Sequence, residues 1–386
     1  MPTPLERKLA ALAVWKKDVE ADARKDPSAP TLLDPKRSYE ALASGSPTFD
    51  GLLGGGWPRG KFIQLYGVES SGKSTLAYQT IAEMHRRDPN AIALLVDAEG
   101  SYDPKRAARM GIDEDRLTVL TLRGAADKAL EQADQILKMR DTDTGRSFVE
   151  LVVIDSIASL VPKAEAEDEI GSQTMALLAR LMSQALRKLN LSVVTGGATV
   201  ILINQIREKV GVMFGNNETQ PGGRALKHYP SLNIKTRAPA GEAFKTKTGV
   251  KVAIQTHIGV DKNKITGRFG ETLTRITPRD GLDFGWEVAK AGAKVGLVSR
   301  SGSFYTLKAG TLEIKAQGEE ALIAEINKLA TPEHNALYDA LVSALVAADD
   351  FYTPVGVEDE IVSETEVPEA DADEAAALAG DDEELA

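Results

Sequence analysis

The apolar run Phe62-Ile-Gln-Leu-Tyr-Gly67 passes directly into Gly67-Val-Glu-Ser-Ser-Gly-Lys-Ser74, and Thr75-Leu-Ala-Tyr-Gln-Thr-Ile-Ala82 follows with helical spacing. No other stretch restricts the fold as much. The pattern G-x-x-x-x-G-K-[ST] between a strand and a helix needs a buried strand that stops abruptly. It also needs a loop whose N–H groups converge and a helix that starts at the lysine. Glycines allow that convergence, and a helix N-terminus favours anionic charge. Gly67, Val68, Glu69, Ser70, Ser71, Gly72, Lys73, Ser74 and Thr75 would therefore cradle a nucleoside triphosphate, ATP in the first instance. Lys73 would reach the β- and γ-phosphates, and Ser74 would bind Mg²⁺.

Two further strand ends fit this chemistry. "LVVIDS" delivers Asp155 to the carboxyl end of an apolar strand, where open α/β sheets bind ligands. A carboxylate there suits Mg²⁺, often through water. "LLVDAEG" places Asp97 and Glu99 just past another strand, where Glu99 could orient or deprotonate a water attacking the γ-phosphate. A loop cap or plain surface charge is the alternative for either acid alone.

"FIQLYG", "IALLVD", "LVVIDS" and "TVILIN" are apolar on both faces and are separated by helical stretches. Such strands predict an α/β fold with a mostly parallel sheet covered on both sides. Leu5, Leu9, Leu12 and Val19, with Trp15 nearby, mark an N-terminal amphipathic helix rather than a signal sequence. No run approaches the ~20 apolar residues that span a bilayer, so a cytoplasmic location is expected. The chain has no cysteine, which excludes disulfides and thiolate metal sites.

The formal charge of −11 belongs to one end of the chain. Phe351 to Ala386 holds 13 Asp/Glu and no Lys or Arg, leaving 44 acids against 46 bases in residues 1–350. Such a tail buries too little surface to fold. It either solubilises the chain or competes with nucleic acid for a basic groove.

A long connection after "TVILIN" resists any periodic assignment: "IREKVGVMFGNNETQPGGRAL" mixes charges, bare apolar residues and glycines. Connections of that length are functional or disordered. Together with "GVESSGKST", "VDAEGSYDP", "VVIDSIASLVPKAEAEDEIG" and "LARLMSQALRKL", in that order, it resembles the bacterial RecA recombinases from about Ser44 to Ala309.

The resemblance implies a RecA-like ATPase core over 38–275, between an oligomerisation segment at 1–37 and a small α+β domain at 276–350. Residues 351–386 are the acidic tail. It implies a DNA-dependent ATPase that forms helical homo-oligomeric filaments on single-stranded DNA and catalyses pairing and strand exchange with double-stranded DNA. Roles in repair and the response to DNA damage, near the nucleoid and not at a membrane, would follow.

By that resemblance Lys73 and Ser74 hold phosphate and Mg²⁺, Asp155 supports the metal and Glu99 activates water. Gln205 would sense the γ-phosphate, Lys262 and Lys264 would reach the ATP of a neighbouring subunit, and Asp103 would lie at the adenine. Two DNA-holding loops are implied. The first carries Met175 and continues into a helix with Arg180, Ser183 and Arg187 on one face. The second offers Arg207, Lys209, Val210, Met213, Phe214, Gly222, Gly223 and Arg224.

Departures from the family pattern concern the base and the subunit contact. Arg106 stands where an aromatic is common, Pro278 and Arg279 replace a Tyr-Gly pair, and His228 replaces an aromatic. Competing readings are a hexameric DNA helicase, a P-loop kinase for a small molecule, and a DNA-coating protein that hardly turns ATP over. The helicase and kinase readings leave the glycine-framed second loop unexplained, and Glu99 argues against the last.

Overall fold

The computed structural model describes residues 3–25, 39–122, 124, 126–169, 176–208, 218–239, 241, 243–245 and 250–348, with backbone alone at 207–208 and 218–219. Met175, Lys209, Val210, Met213, Phe214 and the acidic tail lie outside them, as does the side chain of Arg207.

Helix α1 (Pro4–Lys25) buries none of its residues, so Leu5, Leu9, Leu12 and Trp15 stay exposed. After α2 (Pro47–Leu53) comes β1 (Phe62–Gly67), then α3 (Lys73–Arg87), β2 (Ala93–Asp97), α4 (Pro104–Arg109) and β3 (Leu117–Thr121). Helix α5 (Ala126–Lys138), β4 (Leu151–Asp155), α6 (Leu177–Gly196), β5 (Thr199–Gln205), α7 (Ala225–His228) and β6 (Leu232–Arg237) complete the parallel part. Strand order there is β6-β1-β5-β4-β2-β3, and every neighbouring pair is parallel.

Alternate residues of these strands enter opposite layers, as the pleat requires. Ile63, Leu65, Val153, Ile201 and Ile203 pack with Leu76, Ile81 and Met84 of α3. Phe62, Val152, Ile154, Val200 and Leu202 pack with Leu130 and Leu137 of α5 and Leu186 and Val193 of α6. β1, β2, β4 and β5 are buried on both faces, which is why their sequences read as continuous apolar runs, whereas β3 and β6 at the two ends of the parallel part are partly exposed.

The sheet continues past β6 as an antiparallel edge through β8 (Lys251–Asn263), β9 (Gly270–Thr277) and β10 (Gly281–Leu282), with β7 (Ala243–Lys245) on β8. These strands alternate buried and half-exposed residues, as β6 does, so they lack the apolar signal of β1, β2, β4 and β5.

Helix α8 (Phe284–Lys294) leads to a three-stranded antiparallel sheet, β11 (Val298–Ser301), β12 (Phe304–Ala309) and β13 (Leu312–Gln317). Helices α9 (Glu319–Ile326) and α10 (Thr331–Ala347) close a separate core around Val288, Leu307, Leu322 and Leu341. Where α10 meets α2, Tyr338 donates to the buried Asp50, and Gly45 N–H donates to Tyr338 Oη at 3.2 Å. Glu287 of α8 accepts from Ser46 Oγ at 2.8 Å and Thr48 Oγ1 at 2.8 Å. Among the described residues no helix is long and apolar enough to cross a membrane.

Candidate active site

Parallel strands bring their carboxyl ends to one edge, and the predicted catalytic groups collect there. Gly67 pairs with Gln205 across β1 and β5, and Asp97 pairs with Asp155 across β2 and β4. A Cβ at Gly67 would overlap the Thr236 carbonyl of β6, so only glycine lets the loop leave between these strands. Gly72, at φ 92°, turns the chain into α3.

The side chains of the loop have distinct tasks. Ser71 is buried, donates to the Val68 carbonyl at 2.8 Å and shares a 2.7 Å bond with Thr236 Oγ1, so it fastens the loop. Lys73 Nζ lies against the Gly67 and Val68 carbonyls, at 3.2 and 2.6 Å. Burial pulls its pKa down, opposed by the charges of Asp155, Glu99 and Glu69.

Asp155 is buried, and its Oδ2 has no hydrogen-bond partner. Burial pushes its carboxyl up to about 6; the Ser74 hydroxyl bond counters this, while Glu99 and Asp97 add to it. An orphaned buried carboxylate oxygen beside a serine hydroxyl is a hard-oxygen pair that fits Mg²⁺. No cluster of three acidic or histidine ligands occurs among the described residues. That suits an ion held chiefly by one or two protein oxygens and substrate phosphates.

Asp97 proves to be a scaffold. It accepts N–H bonds from Gly100, Ser101 and Tyr102 at 2.9, 3.1 and 3.0 Å, and so shapes the turn that presents Glu99. Glu99 is exposed, and its Oε1 accepts from Ser156 Oγ at 2.6 Å, Ser159 Oγ at 3.3 Å and Gln205 Nε2 at 3.1 Å. The two serines had no sequence signal beyond following Asp155 in "IDSIAS".

A cavity of about 550 Å³ opens over the loop, lined by Ser70 to Thr75, Arg106, Lys251, Ile254, Ile276 and Pro278. Asp103 is not among its walls; it caps α4 through the Lys105 N–H at 2.9 Å. Arg106 takes the place on the wall, with Nη2 donating to Thr75 Oγ1 at 2.8 Å.

Gln205 ends β5, and the next residue, Ile206, donates its N–H to the Gly67 carbonyl at 3.2 Å. The second loop departs there and returns at Gln220, whose Oε1 accepts from the buried Gln64 Nε2 at 2.7 Å. Asn204 Nδ2 donates to the Pro221 carbonyl at 3.0 Å. Gly222 and Gly223, at φ 92° and 77°, leave no room for a Cβ: one would strike Leu226 and Ile157, the other Ala179 of α6. Close packing accounts for both glycines.

Arg180, Ser183 and Arg187 lie exposed on α6, although Ser183 Oγ already donates to the Ala179 carbonyl at 2.7 Å. Arg224 is exposed at the start of α7. Lys262 and Lys264 stand apart from the loop cluster. Lys262 Nζ donates to the Lys227 and Pro230 carbonyls at 2.6 and 2.7 Å, and Lys264 Nζ approaches the His228 carbonyl at 3.5 Å.

The RecA N-terminal domain model matches residues 28–283. Protein RecA of Mesomycoplasma hyopneumoniae (strain 7448) is 41% identical over 290 residues, 74% of this chain and 80% of that protein. Protein RecA of Bacteroides thetaiotaomicron is 37% identical over 336 residues, 86% of this chain and 98% of that protein. Protein RecA of Macrococcus caseolyticus is 41% identical over 272 residues, 70% and 73% of the two chains. With the nucleotide loop, its acids and the Gln205 contact on one edge of the sheet, the chain belongs to the bacterial RecA family, the DNA-dependent ATPases of recombination and repair.

Proposed function

We propose that the chain polymerises on single-stranded DNA with ATP and Mg²⁺ and tests a duplex for homology by pairing and strand exchange. The observation that carries this is the 3.1 Å bond from Gln205 to Glu99, at the root of the second loop. One side chain thereby touches the group that handles water and starts the segment that holds DNA.

In this reading the α3 N-terminus and the loop N–H groups hold the phosphates, and Lys73 exchanges its carbonyl partners for phosphate oxygens. Glu99 takes the proton of the attacking water, positioned by Ser156 and Ser159. Mg²⁺, held by Ser74 and Asp155, would neutralise charge on the phosphate oxygens. Gln205 leaves Glu99 for the γ-phosphate when ATP binds, and the leading limb of the loop follows.

DNA is held by Arg180, Arg187 and Arg224, with Arg207, Lys209, Val210, Met213, Phe214 and Met175 as further contacts. Cations take phosphates and apolar side chains lie against bases, so binding needs no base sequence. The uncovered stripe Leu5, Leu9, Leu12 and Trp15 is the surface offered to the next subunit. Lys262 and Lys264 complete the site across that contact, which ties hydrolysis to assembly. Residues 38–275 act as the motor and 276–350 meet duplex DNA, in a protein of the cytoplasm.

The test is ATP hydrolysis with and without single-stranded DNA. Strong stimulation is expected, abolished in Glu99→Gln while DNA complexes persist. Hydrolysis indifferent to DNA would end this reading in favour of a small-molecule phosphoryl acceptor.

A further inference from the structure

Three donors converge on one oxygen of Glu99. Oε1 accepts from Ser156 Oγ at 2.6 Å, from Gln205 Nε2 at 3.1 Å and from Ser159 Oγ at 3.3 Å. A carboxylate oxygen offers about two lone-pair sites, so one donor is surplus. The distances identify it. Ser156 makes a short, charge-assisted bond, whereas Ser159 stands beyond the ~2.5–3.0 Å of ordinary O–H···O bonds. Its proton has one other acceptor, Ser156 Oγ at 3.2 Å. The Ser156 proton is already spent on Glu99, so Ser159 is the donor there too, and neither acceptor is close.

Among the described residues the fold makes no other use of this hydroxyl. Ser159 is half-buried and ends the single 3-10 turn Ile157–Ser159, which follows Ser156 as N-cap. Its N–H is taken by the Ser156 carbonyl at 3.1 Å. A 3-10 turn repeats every three residues, which sets side chains 156 and 159 over one another, and here both face Glu99.

We propose that Ser159 is a positioning residue for hydrolysis, which closes onto Glu99 Oε1 when Gln205 leaves and so keeps two donors on the carboxylate. This rests on the reading in which Gln205 moves to the γ-phosphate. Its departure frees one lone-pair site, and the Ser159 hydroxyl has only about 0.5 Å to advance to fill it. The base is handed from an amide to a hydroxyl, and Ser156 never holds it alone.

The experiment pairs kinetics with a structure of the full chain on single-stranded DNA, with Mg²⁺ and a non-hydrolysable ATP analogue. Ser159 Oγ is expected at about 2.7 Å from Glu99 Oε1 in that structure, with Gln205 on the γ-phosphate. Ser159→Ala should lower the kcat of DNA-stimulated hydrolysis by about 10-fold, the worth of one hydrogen bond to a charged group. KM for ATP and the affinity for ADP should stay within about 2-fold, as for a contact that matters only in the hydrolytic step. Ser159→Thr, which keeps the hydroxyl, should recover most of the rate. Loss of ADP affinity beside the loss of kcat would make Ser159 a structural residue and overturn the inference, as would an unchanged kcat in Ser159→Ala. Gln205 gone from Glu99 with Ser159 still at its resting distance would overturn the hand-over alone. Gln205 still on Glu99 beside the bound analogue would instead overturn the reading on which it rests.

Discussion

Gln205 Nε2 donates to Glu99 Oε1 across 3.1 Å, joining the end of β5 to the turn after β2 over the intervening β4. In the mechanism proposed above this is the resting arrangement, with the Gln205 amide held by Glu99. Breaking it requires a better acceptor for the Gln205 amide, and a γ-phosphate oxygen is one.

Glu99→Gln should lower DNA-stimulated hydrolysis by about 10²- to 10⁴-fold, the usual worth of a positioned base. Nucleotide affinity should change little, because Glu99 is exposed and lies outside the cavity wall. Steady-state hydrolysis beside equilibrium nucleotide binding checks both halves.

Gln205→Ala should leave basal hydrolysis within about 3-fold of wild type, a change no larger than the net worth of one hydrogen bond. Stimulation by single-stranded DNA should disappear. Equal loss of basal and stimulated rates would show that Gln205 acts on the chemistry alone.

Asp97→Ala removes an acceptor of three N–H bonds in a buried position. A cost of about 2–4 kcal/mol in stability is expected, since the donors are left unpaired. Hydrolysis should fall too, because the turn that aims Glu99 is lost. Denaturant unfolding and hydrolysis measured on the same preparation test the pairing of these effects.

Burial raises the carboxyls of Asp50 and Glu287 to about 7 each, against the bonds from Ser44 and Tyr338 on Asp50 and from Thr274, Thr48 and Ser46 on Glu287. Both acids therefore hold a proton more tightly in the native chain than in the unfolded one. Stability contributed this way is present at low pH and is lost as pH rises through about 7. Glu83, held down to about 2 despite its burial by His334, Arg86 and Arg87, works in the opposite direction but only below its unfolded value. These two acids should thus raise the unfolding temperature as pH falls from 8 to about 5, opposed by His85 and His334, whose pKa values burial lowers. Asp50→Asn with Glu287→Gln should remove the acids' share and leave the histidines' opposite slope.

Removing residues 351–386 takes away 13 acids and no bases. Binding to duplex DNA should tighten, most strongly at low salt, where like-charge repulsion reaches furthest. A salt series on the truncated and full chains checks this, and parallel curves would dismiss it.

The centre of the parallel sheet was legible because β1, β2, β4 and β5 are buried on both faces. "FIQLYG", "LVVIDS" and "TVILIN" fall on β1, β4 and β5 within a residue of their ends. Lys73, Ser74, Asp155 and Glu99 could be placed because a strand end and a motif fix each locally. The antiparallel edge was not legible, since β8 and β9 carry alternating polar residues. Nor was the difference between Asp97 and Glu99, two residues apart in one segment. Only the turn's geometry decides which acid folds inward onto N–H groups and which faces outward. Asp103 caps α4, and Arg106, one turn on, meets Thr75 from a distant segment, a contact no local pattern announces. The Gln64–Gln220 pair joins residues 156 apart and leaves no trace in any local pattern.

That pair, with Gly222 and Gly223, pins the second loop at its exit. Its entrance is tied to the nucleotide loop through Ile206 and the Gly67 carbonyl, and residues 207–208 pair with 218–219. Asn204 adds a further tie from the entrance strand to Pro221. The two limbs therefore brace one another, and a displacement at Gln205 loads the clasp between Gln64 and Gln220 directly. One residue inserted after Gln220 would unseat Gly222 and Gly223 from Ile157 and Ala179.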